Sequence, residues 1–249
     1  MSRKPGPGQR RGSLQAADSA DYSGIDELLA IEQYMPAYNR FIARLCAEYL
    51  SGCRSVVDFG AGIGTLSVLY RAETGVVPHC VEIDPQNIDT LRERGLAVYG
   101  AITEVPGEID GVFSSNVLEH IEDDEAALRQ IFATLKSGGR LVLYLPAFMV
   151  LFSELDRTVG HYRRYGRREI VEKLRAAGFQ IERCYYTESV GFFASLLVRL
   201  LGYDAGKGLA SEGSLKTYDR LVLPLGRLFD RIGFSHLFGK NVVAIARKP

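Results

Sequence analysis

The chain has 249 residues, of which 30 are basic and 30 acidic, so its formal net charge is zero. This length suits one large domain, and a hydrophobic fraction of 47% is typical of a globular protein. The balanced charge argues against a nucleic-acid partner, because such a partner calls for a basic surface that neutralises phosphates.

The first 20 residues are rich in Gly, Pro and Arg and contain no acid before Asp18. Such a segment buries too little apolar surface to offset its chain entropy, so we expect residues 1–20 to be a disordered basic tail. An anion-binding tail is the alternative. We expect one domain over residues 21–249.

A helical period begins at Ile25, and one stripe of it carries Tyr34, Tyr38, Phe41 and Leu45. Pro36 suits a first helical turn. We expect the helices of residues 21–52 to form a lid at the N-terminus of the domain.

Short apolar runs then alternate with helical patterns. The runs predict strands at residues 55–59, 80–83, 97–99, 111–114, 140–145, 180–186 and 241–247. Helices are predicted at residues 85–94 and 168–177, and another through Leu128 and Leu135 that stops at Gly138-Gly139. This alternation predicts an α/β fold built on a mostly parallel sheet.

Residues 188–240 break the alternation with two apolar helical patterns. The first is too short to span a bilayer and contains Arg199, and the second contains Pro224, where we expect a kink. We expect the two helices to pack on each other as a cap over the active site. Contact with a membrane surface or with another subunit is the alternative.

The strongest functional signal begins at the end of the first predicted strand. Asp58 is followed by glycines 60, 62 and 64, and such a loop turns tightly beneath a ligand. In a nicotinamide-binding loop the third glycine would fall at Thr65, so the spacing disfavours a dehydrogenase.

Glu82 ends the second predicted strand, roughly 20 residues beyond the first glycine, where doubly wound folds place an acid that binds ribose hydroxyls. A solvated acid at a strand end is the alternative. The coincidence with the glycine loop favours the binding role.

Two further runs complete the pattern. Ser114–Ile121 reads SSNVLEHI after the fourth strand, and Asp156–Tyr165 reads DRTVGHYRRY. Together with the glycine loop they resemble class I S-adenosylmethionine-dependent methyltransferases, in particular a bacterial small-molecule subgroup with a GHxRRY motif. The resemblance covers about residues 34–249 and concerns fold and cofactor rather than substrate.

The resemblance implies a Rossmann-like, seven-stranded, mostly parallel sheet with an antiparallel last strand, an N-terminal helical lid and a helical insertion before the last strand. It implies S-adenosyl-L-methionine as cofactor and S-adenosyl-L-homocysteine as product. The implied cofactor-binding residues are Asp58, Gly60, Ala61, Gly62, Gly64, Glu82, Ile83, Ala101, Ile102, Asn116, Val117 and Leu118. Many relatives carry an adenine-binding acid after the third strand, but residues 100–103 contain none, so we expect Ile83 and Ile102 to hold adenine by apolar contact.

Methyl transfer requires a base only where the acceptor must lose a proton. His161 and His120 are the candidate bases, because imidazole titrates near neutrality. The alternative is that each histidine only braces its own loop.

Candidate substrate-binding residues come from two regions. Arg163 and Arg164, beside His161, suit an anionic group of the substrate, or else they pair with acids such as Asp156. The N-terminal helices offer Tyr34, Tyr38 and Asn39, which either line the acceptor pocket or belong to the core.

We therefore expect methyl transfer to O, N or C of a small molecule, a bacterial secondary metabolite or, given the apolar cap, a lipid-like precursor. A catalytically silent scaffold or partner subunit that binds the cofactor is the alternative, and an NAD(P)-dependent oxidoreductase is less favoured. The four cysteines show no metal-ligand spacing and no secretory signal is evident, so we expect reduced thiols, no metal and a cytoplasmic protein. Oligomeric state is left open.

Overall fold

The computed structural model describes residues 24–201 and 211–249, so the predicted tail at residues 1–20 lies outside the described part. The strands are β1 Val56–Phe59, β2 His79–Val81, β3 Val98–Tyr99, β4 Ile109–Ser115, β5 Leu135–Pro146, β6 Gln180–Thr187 and β7 Asn241–Arg247. The helices are α1 Ile25–Tyr34, α2 Pro36–Tyr49, α3 Thr65–Thr74, α4 Pro85–Glu93, α5 Asp124–Thr134, α6 Glu154–Thr158, α7 Arg167–Ala176, α8 Ser189–Leu201, α9 Glu212–Thr217 and α10 Leu223–Arg231.

The strands form one seven-stranded sheet in the order β3-β2-β1-β4-β5-β7-β6. Strand β7 runs antiparallel to both β5 and β6, and the other pairs are parallel. The predicted fold class, with an antiparallel last strand, is confirmed. The strand order reverses between β1 and β4, and ligands of open α/β sheets bind at the carboxyl ends of the strands on either side of such a point.

Alternation along the strands sends side chains to two apolar layers. On β5, Leu141, Leu143 and Leu145 join the layer that α5 and α7 cover, whereas Val142 and Tyr144 join the layer beneath α2 and α3. Because both faces of the sheet are covered, most residues of its central strands are buried, as their apolar sequence predicts.

Two predicted boundaries were wrong. Leu135 is not helical, because α5 ends at Thr134 and Leu135 already pairs with Ile109 at the start of β5. Gly138, with φ of 80°, therefore lies within the strand rather than stopping the helix. The tyrosines predicted to share one helical stripe lie on two helices. Tyr34 ends α1, and Tyr38 belongs to the buried face of α2.

The segment between β6 and β7 contains α8, α9, a π-helical turn at Tyr218–Val222 and α10. Pro224 lies in the first turn of α10, so the irregularity expected at this proline comes directly before it. The expectation that the apolar faces hide against each other is met only in part, since large exposed side chains remain at Phe193, Leu197, Leu200, Leu225 and Leu228. No helix in the described ranges is both long and apolar enough to cross a membrane.

Candidate active site

The glycine loop leaves β1 with φ of 77°, 54° and 83° at Gly60, Gly62 and Gly64. A Cβ atom on Gly60 would lie 2.3 Å from a methyl group of Val117, so only glycine lets the loop approach the segment after β4. A Cβ on Gly64 would meet Leu91 and Leu96, which gives this glycine a packing role. The loop and the segment after β4 thus meet at one edge of the sheet.

Asp58 lies beneath this loop rather than on its surface. Its side chain is 2% exposed and accepts a hydrogen bond from the Ser67 hydroxyl at 2.7 Å. Burial, aided by the negative charge of Glu82, raises the pKa of Asp58 to about 7, against the opposing hydrogen bond from Ser67. Asp58 therefore ties α3 to β1, and its carboxylate is not open to a ligand in this arrangement.

Glu82 joins β2 to the loop. One oxygen of its carboxylate accepts the Gly62 N–H at 2.7 Å, and the other accepts the N–H groups of Ile83 and Asp84 at 2.7 and 2.9 Å. Parallel pairing of Phe59 with Val81 places the two strand ends side by side, which explains the contact. Glu82 therefore lies next to the glycine loop, as the sequence predicts.

The residues expected around adenine separate into two groups. The Ile83 side chain is 81% exposed beside Glu82 and presents an apolar surface. Ile102 and Leu118 are buried in the core, at 1% and 0% exposed, so neither presents a side-chain surface as Ile83 does, and the contact of Ile102 with adenine stays a prediction. Ala101 precedes the 3-10 turn Ile102–Glu104, and at this turn Glu104, which the motif comparison missed, accepts the Gly100 N–H at 3.0 Å.

Helix α1 covers the glycine loop. A Cβ on Gly62 would lie 3.1 Å from Leu28 of this helix. Glu32 on the same helix pairs with Arg94 and accepts a hydrogen bond from the Thr65 hydroxyl at 2.9 Å. Neither Leu28 nor Glu32 was singled out from the sequence, because no motif marks a lid residue.

The GHxRRY segment is built around Asp156. The His161 Nδ1 atom lies 2.8 Å from one Asp156 oxygen, and the Arg164 guanidinium donates to both oxygens of the same carboxylate at 2.7 and 3.1 Å. Burial alone would raise the pKa of Asp156, but its hydrogen bonds to His161 and Arg164 hold it well below its ordinary value. Arg164 therefore forms the pair with Asp156 that was the alternative to binding an anionic group of the substrate.

Glu119 and His120 approach this segment from the 3-10 turn after β4. The His120 and His161 rings lie edge to face with centroids 4.5 Å apart, and the His161 Nε2 atom lies 4.0 Å from a Glu119 oxygen. Burial raises the pKa of Glu119 to about 8. Desolvation, together with the neighbouring His161, lowers the pKa of His120 to about 4, although the residue as a whole is exposed.

The remaining substrate candidates have structural partners. Arg163 donates to the carbonyl groups of Ile121 and Glu122 and pairs with Asp124 at 3.0 Å. The buried Asn39 amide donates to the Ile31 carbonyl and so joins α1 to α2. Both are therefore engaged within the fold rather than open to a substrate.

The aromatic candidates differ from each other. Tyr34 lies under the Lys216 ammonium, 5.0 Å from its ring centroid. Tyr38 is buried with its ring edge-on to Tyr144 at 6.1 Å, and its hydroxyl interacts with Asn116. Tyr38 is thus the one of these two that reaches the end of β4.

A second buried polar cluster was not predicted. The Glu188 carboxylate, 1% exposed, accepts hydrogen bonds from the hydroxyl groups of Tyr144 and Tyr218 and from the Asn241 amide. Lys240 lies over the Tyr218 ring at 4.5 Å. These residues come from β5, the cap and β7, so no linear motif marks the cluster.

Backbone conformation identifies the same edge of the sheet. In the described part of the chain, the non-glycine residues with positive φ are Asn116, Phe148 and Glu188, at 53°, 61° and 61°. Each follows the carboxyl end of a strand, namely β4, β5 or β6. Unfavourable backbone conformations concentrate at functional sites, so this edge is the candidate active site.

Comparison with known families decides the classification. A model of the methyltransferase domain matches residues 30–183, which is more than half of the chain.

The chain belongs to this methyltransferase family.

The chain is similar to the ubiquinone biosynthesis O-methyltransferase of Xanthomonas euvesicatoria pv. vesicatoria (strain 85-10), to which it is 29% identical over 157 residues. That match covers 53% of this chain and 65% of the relative, so the chain spans less than two thirds of that protein's length.

Two solved structures show the methyltransferase fold over most of the chain. The structure of the [4+2]-cyclase SpnF matches with a TM-score of 0.61 at 20% identity. The match covers 92% of this chain and 93% of the SpnF chain. A SAM-dependent methyltransferase from Archaeoglobus fulgidus has a TM-score of 0.60 at 19% identity, with coverage of 89% and 99%. At these identities the likeness concerns the fold.

Proposed function

We propose that this methyltransferase-family chain transfers a methyl group from S-adenosyl-L-methionine to a small molecule. The observation that carries the proposal is the hydrogen bond between Glu82 and the Gly62 N–H at 2.7 Å. It places an acid suited to ribose hydroxyls directly against a glycine loop that side chains would obstruct. If Glu82 were only a solvated acid at the end of a strand, its carboxylate would face water rather than the Gly62 N–H.

The residues at this edge fit the proposed cofactor. Glu82 is 9% exposed, and the carboxylate oxygen that accepts only the Gly62 N–H has acceptor capacity left for a ribose hydroxyl. The exposed side chain of Ile83 would flank the adenine. The Val117 side chain lies against Gly60, and the backbone of Asn116 and Val117 would lie along the methionine part.

The bound cofactor supplies an electrophilic methyl group on a sulfonium. The protein then has to position the acceptor and exclude water, because alignment of the reacting groups supplies most of the rate enhancement in such a reaction. Tyr38 and Asn116 meet where β4 ends and would orient the acceptor. His161 and His120 are the candidate groups for moving a proton.

We further propose that the acceptor is apolar or lipid-like. The cap helices keep Phe193, Leu197 and Leu200 exposed at 56%, 55% and 73%, which is unusual for a surface without an apolar ligand or partner nearby. The name of the Xanthomonas relative, an O-methyltransferase of ubiquinone biosynthesis, is in keeping with an acceptor of this kind. A polar secondary metabolite is the other candidate.

The test has two stages. Calorimetry with S-adenosyl-L-homocysteine measures binding, and incubation with methyl-labelled cofactor plus a fractionated bacterial extract measures transfer. We expect label in the organic-soluble fraction, and its loss in Glu82→Ala. Binding without transfer to the organic, aqueous or protein fraction would instead support the silent scaffold, whereas absence of binding would refute the proposal.

A further inference from the structure

Three side chains converge at the carboxyl end of β4 and are not explained by cofactor binding. Glu119, His120 and His161 each offer one ligand atom, and these atoms lie within 4.8 Å of one another. Two of the residues come from the 3-10 turn after β4, and His161 comes from the loop after α6. Metal-ligand bonds of about 2.0–2.2 Å place ligand atoms roughly 3–4 Å apart, so small side-chain movements would bring these three into coordination.

Glu119 supplies an independent indication. Its side chain is 0% exposed, and neither carboxylate oxygen accepts a hydrogen bond from another residue of the described chain. Buried carboxylates are costly unless they are paired or coordinate a cation. The nearby Arg164 uses Nε and Nη2 for Asp156, and its remaining Nη1, although buried and without a partner, forms no hydrogen bond with Glu119.

His161 is oriented as a metal ligand. Its Nδ1 atom lies 2.8 Å from an Asp156 oxygen, and Arg164 together with the Ser153 N–H and hydroxyl holds that carboxylate in place. The ionised Asp156 carboxylate is an acceptor, so Nδ1 is the donor, and in the neutral imidazole Nε2 then offers its lone pair on the side of Glu119. A histidine whose second nitrogen donates to a carboxylate is the usual arrangement at protein metal sites.

We propose that Glu119, His120 and His161 bind one divalent first-row transition-metal ion. Two imidazoles and one carboxylate suit ions such as Mn²⁺, Fe²⁺ or Zn²⁺. Three protein ligands leave positions open for water or an oxygen of the acceptor. If the proposed methyl transfer holds, on which this last step rests, the ion would lower the pKa of an acceptor hydroxyl, and His161 would then be a ligand rather than the base.

The expectation of no metal, drawn from cysteine spacing, does not apply to this site. Its ligands are Glu and His, and His161 is far from Glu119 in the chain. A search for closely spaced ligands therefore could not detect it.

The experiment titrates the untagged, EDTA-treated chain with Co²⁺, which reports imidazole coordination in its visible spectrum. We expect one ion per chain, with affinity lowered at least tenfold in Glu119→Gln, His120→Gln and His161→Gln, because loss of a ligand costs no less than loss of its supporting partner. Matched controls are Glu122→Gln, an exposed acid, and His236→Gln, whose hydrogen bonds in the described ranges use only its backbone N–H and carbonyl. Both controls should bind Co²⁺ as the unmodified chain does.

Binding of S-adenosyl-L-homocysteine to every variant separates this proposal from the proposed function. Uptake of Co²⁺ without binding of that product would uphold the metal site and refute the cofactor assignment. No uptake by a chain that binds the product, or full affinity in the ligand variants, would overturn the metal site. Circular dichroism identifies any variant that fails to fold, and the remaining two ligand variants then decide.

Discussion

Arg94 and Glu32 form a two-pronged ion pair, in which the guanidinium donates to the two carboxylate oxygens at 2.7 and 2.8 Å. The pair joins α1 to the end of α4, and both side chains are largely shielded from water. Since α1 also carries Leu28 over Gly62, this ion pair holds α1, the predicted lid helix, against the glycine loop. The hydrogen bond that Arg94 donates to Glu32 lowers the pKa of the Glu32 carboxyl group.

Arg94→Gln should therefore loosen the lid. Loss of a partly shielded ion pair costs about 1 kcal/mol of the free energy that holds α1 in place. We therefore expect S-adenosyl-L-homocysteine to dissociate roughly fivefold faster. Stopped-flow displacement measures this rate. Arg92→Gln removes only an exposed pair with Asp89 and serves as the control; equal rates in the two variants would contradict a role of α1 as a lid.

Glu82→Ala should weaken binding of S-adenosyl-L-homocysteine by about 1.5–3 kcal/mol, or tenfold or more in Kd, because hydrogen bonds to a charged group are lost. The loop amide of Gly62 would lose its acceptor at the same time. Calorimetry gives the affinity, and Glu93→Ala, an exposed acid on α4, is the control. Unchanged affinity in Glu82→Ala would remove this residue from the site.

Gly62→Val should abolish cofactor binding while the fold survives, because the side chain would fill the space between the loop and Leu28. Gly52 also has positive φ, at 87°, but nothing lies within 4 Å of its added Cβ. Gly52→Val thus imposes comparable backbone strain without the contact. We expect calorimetry to detect binding in Gly52→Val only, and binding by both variants would place the ligand elsewhere.

Asp58 should make stability depend on pH between about 4 and 7. Burial raises its folded-state pKa to about 7 from an ordinary value of 3.8. Protonation therefore favours the folded state, and this contribution is complete below the unfolded pKa and is lost as pH rises through the folded pKa.

Urea unfolding at pH 5, 6, 7 and 8 tests this in the unmodified chain and in Asp58→Asn. The free energy of unfolding of the unmodified chain, relative to the variant, should fall by up to about 1.4 kcal/mol per pH unit from pH 5 to 7 and level off by pH 8. A difference that stays constant with pH would show that Asp58 does not titrate in this range.

The sequence alone determined the sheet and the neighbourhood of the glycine loop and Glu82. Strand β1 and strand β2 follow one another with a single crossover helix, so parallel pairing brings their carboxyl ends together whatever the rest of the chain does. Apolar runs and glycine spacing, which are local properties, therefore sufficed for the fold class and for this part of the site.

Only the tertiary structure decided which side chains face the ligand edge and which face the core. Ile102 and Leu118 are apolar like the exposed Ile83 but pack in the core with residues of α5. Arg163, in the loop before α7, pairs with Asp124 of α5. Glu119 and His161, and likewise Glu188 and Tyr144, become neighbours through packing of elements distant in the chain. Side-chain direction in such contacts depends on the three-dimensional arrangement of several elements, which local periodicity does not contain.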